Sequence, residues 1–86
     1  MRPVTRAEIE QQLIAIVRQE KSGIPAELLK PETELGAAGI DSLDSLTILF
    51  AIEEHFHVSI PDTAARAIKT FGDMIDAVAA ELKAES

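Results

Sequence analysis

One short segment of the sequence places a hydroxyl group where a helix is predicted to begin. Ser42 follows a flexible glycine and stands between two acidic residues, in the stretch Gly39-Ile40-Asp41-Ser42-Leu43-Asp44. The free amides and the dipole at a helix N-terminus favour a phosphate group. The residues alone leave a second interpretation open, in which Ser42 only caps the helix, because Ser is a preferred N-cap residue.

A catalytic role for Ser42 would require a base within hydrogen-bond reach. The candidate bases are His55 and His57. At a rise of about 1.5 Å per residue, His55 would lie roughly 20 Å from Ser42 along one continuous helix. The sequence also lacks the Gly-x-Ser-x-Gly elbow and the P-loop, zincin and dinucleotide-binding patterns. We therefore expect a protein that is not an enzyme.

His55 and His57, with Glu53 and Glu54 beside them, are possible metal ligands by residue type. Two residues separated by one position do not share a helix face. The chain has no cysteine and no further histidine to complete a closed site. We expect these side chains to be solvated and the protein to hold no metal.

Length and composition favour one helical domain. A chain of 86 residues has room for one modest core. It is 47% hydrophobic but only 3% aromatic, which suits closely packed helices better than strands. We predict a single all-helical domain over residues 1–86, with structure from about residue 5 to about residue 84 by the cap signals.

The charge balance excludes some partners. Fifteen acidic residues against eight basic ones give a net charge of -7, which repels nucleic acid and anionic membrane surfaces. The first residues show neither the apolar run of a signal peptide nor that of a membrane span, so we expect a cytoplasmic location and no membrane insertion. No Lys or Arg occurs between Asp41 and Glu54, so a partner docking there should be basic.

The first half of the chain predicts two helices joined by a long loop. A capping box at Thr5-Arg6-Ala7-Glu8 begins a helix from about Arg6 to about Glu20. Residues 23–40 are rich in Gly and Pro but also hold apolar residues, which predicts a connector docked on the core. The second helix should begin at Asp41 or Ser42, end near His57 and lie centrally. We expect its buried face to comprise Leu43, Leu46, Leu49, Phe50 and Phe56, widened by Ile48 and Ile52.

Two further helices are predicted after Pro61. Asp62 should cap a short helix that ends near Ile68. Thr70-Phe71-Gly72-Asp73 reads as a second capping-type start. The last helix is then marked by apolar residues at helical spacing, namely Phe71, Met74, Ile75, Val78, Ala79 and Leu82.

Three separated motifs together resemble the acyl carrier proteins, and the similarity covers nearly the whole chain. They are Gly39-x-Asp41-Ser42-Leu43-Asp44-Ser45-Leu46, then Ala51-Ile52-Glu53-Glu54-His55-Phe56, then Ile60-Pro61-Asp62. The resemblance implies an all-α four-helix bundle of the acyl-carrier type with a long first loop and a short third helix. It also implies a non-catalytic carrier that acts as a monomer.

In that family the serine of the Asp-Ser-Leu motif carries 4′-phosphopantetheine transferred from coenzyme A, and acyl groups ride on its thiol as thioesters. The resemblance thus implies that Ser42 bears the arm, with Asp41 and Leu43 beside it. Asp44, Leu43, Glu53 and Glu54 are implied as partner-binding residues. The implied partners are a phosphopantetheinyl transferase, an acyl- or aminoacyl-loading ligase, and pathway enzymes with basic docking patches.

The sequence departs from the family pattern at several positions. Thr47 and His55 replace the usual Glu, and Thr63, Ala64 and Arg66 replace frequent acids. These departures favour a specialised lipid, polyketide or related pathway. The alternatives are an aminoacyl or peptidyl carrier and an unmodified carrier-like adaptor.

The cargo pocket is expected to comprise Leu46, Phe50, Phe71 and Ile75, with Phe50 pointing inward where the family often has Met. A rigid ring there predicts a small cavity and cargo that is short, polar or left in solvent. Phe50 would otherwise only replace volume lost at Ala38, where Leu is usual.

Overall fold

The computed structural model describes residues 5–82, which form four helices. They are α1 (Arg6–Glu20), α2 (Ser42–Phe56), α3 (Asp62–Ala67) and α4 (Phe71–Leu82), with one 3₁₀ turn, Ala26–Leu28, in the long loop between α1 and α2. The predicted all-α bundle with a long first loop and a short third helix is confirmed. Residues 83 and 84, predicted to be structured, lie outside the described residues.

Side-chain caps begin α1 and α4. At α4 both bonds of a capping box form, whereas at α1 the Thr5 hydroxyl donates to Glu8 Oε1 at 3.4 Å. The Thr5 hydroxyl accepts the Glu8 amide at 3.2 Å. The Thr70 hydroxyl accepts the Asp73 amide at 3.0 Å, and the Asp73 carboxylate accepts the Lys69 and Thr70 amides at 3.0 and 3.1 Å. The hydrogen bond from the Lys69 amide, followed by that from the Thr70 amide, holds the pKa of Asp73 below its ordinary 3.8.

The start of α3 differs from the prediction. Asp62 is the first helical residue, and Pro61 occupies the cap position without a side-chain hydrogen bond. Proline fixes its own φ near the value seen here, -66°, and has no amide to satisfy, so the turn itself sets the start of this short helix.

The core is built by helix packing around α1. This helix packs against both α2 and α4, while α3 packs on α4. No polar or charged side chain is buried among residues 5–82. The buried side chains come from α1, α2, α4 and the loops: Ile9, Leu13, Ile16, Val17, Ile24, Leu29, Leu35, Ala38, Ile40, Ile48, Ile52, Ile60, Phe71, Met74, Ile75 and Val78.

The long loop is docked on the turn that precedes α4, which confirms the predicted connector. The Leu35 amide donates to the Lys69 carbonyl at 3.0 Å, and the Phe71 amide donates to the Thr33 carbonyl at 2.9 Å. The Gly72 amide donates to the Pro31 carbonyl at 2.8 Å. These backbone bonds fix the loop that leads into α2.

The predicted buried face of α2 is correct for Ile48 and Ile52 and wrong for Leu43, Leu46 and Phe50. Ile48 and Ile52 are the buried residues of α2, whereas Leu43, Leu46 and Phe50 are 73%, 49% and 60% exposed. Leu49 and Phe56 are only partly buried. Apolar residues occupy more than one side of this helix, and α1 covers the side that carries Ile48 and Ile52. The expectation of a central helix is therefore also wrong, because one side of α2 stays open.

Candidate functional site

The loop before α2 is anchored and holds Ser42 in place. Ile40 is buried, and its amide donates to the Leu35 carbonyl at 2.9 Å. Gly39 turns the chain with φ +87°, a conformation that favours glycine. The buried Ile40 side chain and the turn at Gly39 therefore fix the backbone that leads into α2.

Asp41, and not Ser42, caps α2. The Asp41 carboxylate accepts the Asp44 amide at 2.8 Å, and the Asp44 carboxylate accepts the Asp41 amide at 3.3 Å, which completes a capping box. Ser42 is the first helical residue, and it is exposed. Its hydroxyl makes no hydrogen bond to any residue between 5 and 82. The interpretation of Ser42 as an N-cap is therefore wrong.

Asp44 also binds a cation from another helix. Lys21 follows α1, and its Nζ donates to Asp44 Oδ2 at 2.5 Å. This hydrogen bond raises the pKa of Lys21 above 10.5. The same bond, together with the Asp41 amide, lowers the pKa of Asp44 below 3.8. Because both shifts favour the charged forms, the pair persists at neutral pH, and its contribution is lost only as Asp44 gains a proton in acid or Lys21 loses one in base.

Two adjoining grooves lie between α2 and α3. The first, which we call the Ser42 groove, has a volume of about 470 Å³ and is lined by Ser42, Ser45, Leu46, Leu49, Asp62, Ala65, Arg66 and Ile68. The second, the Phe50 groove, has about 300 Å³ and is lined by Leu46, Leu49, Phe50, Glu53, Ser59, Ile60, Asp62 and Ala65. An open surface of mixed polar and apolar side chains thus begins at the Ser42 hydroxyl.

The structure divides the residues expected to form the cargo pocket. Leu46 and Phe50 line the open grooves, whereas Phe71 and Ile75 are fully buried in the core and line neither groove. The expectation that Phe50 points inward is wrong, because its helix face points away from α1. Ile60, which sequence reasoning did not assign to this region, lines the groove beside Phe50 instead.

The acids expected to bind partners have different surroundings. Glu53 accepts the Ile60 amide at 2.8 Å, so it holds the loop after α2. Glu54 is exposed and makes neither a hydrogen bond nor an ion pair within the part of the chain that the structure describes. Leu43 is 73% exposed, and the Thr47 hydroxyl donates to the Leu43 carbonyl at 3.2 Å.

The histidines do not form a site with Ser42. His55 lies on the same unbroken helix as Ser42, roughly 20 Å along its axis at the usual rise. Its Nε2 lies 2.9 Å from Gln12 Oε1, and His57 ends α2 in a left-handed conformation with φ 56°. Among residues 5–82, no three His, Cys, Asp or Glu side chains are grouped as metal ligands.

Comparison with known proteins shows the family of this chain. The family described as "Phosphopantetheine attachment site" matches residues 11–78. The chain is 34% identical over 77 residues to the acyl carrier protein of Porphyromonas gingivalis, covering 90% of this chain and 99% of that protein. The chain belongs to the acyl carrier protein family. It is accordingly a non-catalytic carrier that bears a covalent 4′-phosphopantetheine.

Other acyl carrier proteins are similar to this carrier over most of its length. That of Prochlorococcus marinus (strain MIT 9515) is 33% identical over 78 residues, with 91% of this chain and 98% of that protein covered. That of Thermosynechococcus vestitus is 34% identical over 73 residues, with 85% and 90% covered. No helix among the described residues of this carrier is long and apolar enough to cross a bilayer.

The start of α2 fits a phosphopantetheine group. The exposed Ser42 hydroxyl, which has no hydrogen-bond partner within residues 5–82, stands at the first helical position. The early amides there lack helical acceptors and favour an anion. A groove with an apolar floor begins at the same place. Sequence reasoning missed the contact between Lys21 and Asp44, since nothing local relates the end of α1 to the start of α2.

Proposed function

We propose that the arm of this carrier is attached to Ser42. The observation that supports this most strongly is that Asp41 caps α2 and leaves the Ser42 hydroxyl exposed and without a hydrogen-bond partner in residues 5–82. A serine engaged as a cap would have to give up its hydrogen bond before reacting. The Ser42 hydroxyl makes no such hydrogen bond within residues 5–82. Ser42 also lies within residues 11–78, which match the phosphopantetheine attachment family.

Attachment is a phosphoryl transfer to the Ser42 oxygen. This oxygen bonds to the phosphorus next to pantetheine in coenzyme A as the pyrophosphate linkage breaks. Adenosine 3′,5′-bisphosphate leaves, and the Ser42 proton passes to the transferase. The attached group supplies the thiol for thioester cargo, which this chain lacks because it has no cysteine.

We propose that partners dock on the open side of α2 beside Ser42. Leu43 offers an exposed apolar contact, while Asp41, Asp44, Glu53 and Glu54 supply negative potential for basic patches. The expected partners are the phosphopantetheinyl transferase, an acyl- or aminoacyl-loading ligase and the enzymes of one pathway. Because Lys21 already pairs with Asp44, a basic partner meets a partly neutralised carboxylate there.

We further propose that the pathway is a specialised lipid, polyketide or related one. Thr47 is uncharged and turned back to the Leu43 carbonyl, and His55 contacts Gln12, so these positions offer a partner no fixed negative charge. The carrier would act in the cytoplasm, where coenzyme A and the transferase meet it. It would act as a monomer, since the core of residues 5–82 closes within one chain.

Intact mass after incubation with coenzyme A and a broad-specificity phosphopantetheinyl transferase tests the attachment. The wild type and Ser45→Ala should each gain the mass of one phosphopantetheine, and Ser42→Ala should gain none. Ser45 is the matched control because it is the same residue type, stands in the same helical turn and lines the same groove. A mass gain in Ser42→Ala, or none in the wild type, would overturn the assignment.

A further inference from the structure

The lining of the two grooves shows how α3 is oriented beside α2. Leu46, Leu49, Asp62 and Ala65 line both grooves. Ser42, Ser45, Arg66 and Ile68 line the Ser42 groove and not the Phe50 groove. The C-terminal end of α3 therefore faces the N-terminal end of α2. Arg66 stands at the same end of the groove as Ser42.

Arg66 is the basic side chain that lines the Ser42 groove, and its charge is not paired with another side chain within residues 5–82. It is exposed, and across residues 5–82 its guanidinium takes part in no ion pair and no hydrogen bond. Asp62 lies one helical turn before Arg66 but forms no ion pair with it. By contrast, Lys21 is bound to Asp44, and Arg18 Nε donates to the Ile24 carbonyl at 3.1 Å.

Attachment of the arm changes the charge at this end of the groove. A phosphodiester on Ser42 adds an anion next to Asp41 and Asp44, and Lys21 is already paired with Asp44. A guanidinium presents planar, bidentate donors that match phosphate oxygens, and such charge-assisted bonds are the strong ones. Arg66 is placed and free to supply them.

We propose that Arg66 pairs with the phosphodiester on Ser42 and thereby directs the arm into the Ser42 groove. This inference rests on the proposed attachment at Ser42. The groove floor of Leu46, Leu49, Ala65 and Ile68 suits the methylene and methyl groups of pantetheine. Arg66 acts here as a positioning residue for the arm and does no chemistry.

Arginine side-chain NMR provides a direct test. Spectra of the Nε–H groups are recorded for the unmodified carrier and for the carrier armed with a free thiol, with the mass of each sample verified. The Arg66 signal should shift and exchange more slowly with water after arming. The Arg18 signal should stay in place, since its Nε already donates to the Ile24 carbonyl. An Arg66 signal that does not move on verified arming would overturn the proposal.

Matched variants separate the ion pair from a general effect of charge. Arming should shift the Leu49 and Ala65 signals in the wild type, and Arg66→Gln should abolish these shifts. Arg66→Lys should retain part of them because it keeps the charge without the bidentate geometry. Lys69→Gln removes one positive charge from the turn after α3 without altering the groove lining. Equal losses in Lys69→Gln and Arg66→Gln would contradict the pairing.

A comparison of two cargoes identifies the anion that Arg66 binds. The carrier is armed with butyryl- or succinyl-coenzyme A, which differ by a cargo carboxylate. The Arg66 shift should be the same with both and with the free thiol. A shift seen only with the succinyl cargo would assign Arg66 to the cargo and overturn the phosphodiester pairing. Failure of the wild type to gain mass would instead refute the attachment at Ser42.

Discussion

Gly72 must be glycine because the backbone of Pro31 lies too close for a side chain. Its backbone conformation does not itself require glycine. A Cβ at this position would lie 2.7 Å from the Pro31 carbonyl oxygen, and the Gly72 amide donates to that same oxygen at 2.8 Å. Alanine would favour the helix by up to about 1 kcal/mol, but overpacking against backbone costs about 1–3 kcal/mol and the hydrogen bond about 1 kcal/mol more. We predict that Gly72→Ala lowers the free energy of unfolding by about 1–3 kcal/mol by this balance, measured by urea denaturation.

Gly36→Ala is the matched control for this substitution. A Cβ at Gly36 would have no neighbour within 4 Å, and its φ is not positive. The free energy of unfolding should therefore change by less than about 0.5 kcal/mol, as is usual for surface sites. A loss as large in Gly36→Ala as in Gly72→Ala would show that contact with Pro31 is not the cause. The local sequence gives no sign of this contact, because Pro31 and Gly72 meet only after the loop docks.

At the scale of elements, α2 carries its exposed apolar and acidic side chains on one face. Leu43, Phe50 and Glu54 recur at spacings of seven and four residues, which places them along one side of the helix. Among the acids expected to bind partners, Glu54 is the one at which a substitution tests docking with the least effect on the structure. Asp44 also caps α2 and holds Lys21, and Glu53 holds the Ile60 amide, so reversing either charge would disturb the structure as well.

We predict that Glu54→Lys slows arming by the transferase several-fold at low salt. The difference from the wild type should shrink at high salt, since exposed charges are screened and steering acts mainly on association. Initial rates of mass gain at both salt concentrations measure this. Glu81→Lys makes the same charge change on α4 and should arm at nearly the wild-type rate. Equal slowing by the two variants would argue against docking on this face of α2.

Local signals predicted the elements well and the faces of α2 poorly. The side-chain caps at Thr5 and Thr70 act within one helical turn, so the sequence around them contains the whole interaction. The face of α2 that becomes buried depends on where α1 packs, and apolar residues on several sides left this choice open. The same reason explains why the sequence does not predict the position of Phe50 or the contact of Lys21 with Asp44. The motif around Ser42 is local, so the sequence does predict its place at the start of α2.

At the scale of the whole molecule, the core and the grooves offer cargo two different environments. Phe71 and Ile75 are fully buried in a core to which residues 5–82 contribute no polar side chain, whereas Leu46 and Phe50 line grooves that are already open. Burying a methylene fully gains about 0.8 kcal/mol, and an open groove buries it only in part. A chain entering the core must in addition displace close-packed side chains, and such overpacking costs about 1–3 kcal/mol. The grooves can therefore accept an acyl chain without rearrangement of the core.

We predict that cargo occupies the grooves and leaves the core unchanged. Methyl NMR spectra of the carrier loaded with butyryl or dodecanoyl groups should show shifts at Leu46 and Leu49 that grow with chain length, while the Ile75 methyl signals stay in place. Phe50→Ala should alter only the groove shifts of the longer chain, since Phe50 lines the groove farther from Ser42 and its exposed ring contributes little to the core. Ile75 shifts that grow with chain length would show instead that long cargo separates the helices and enters the core.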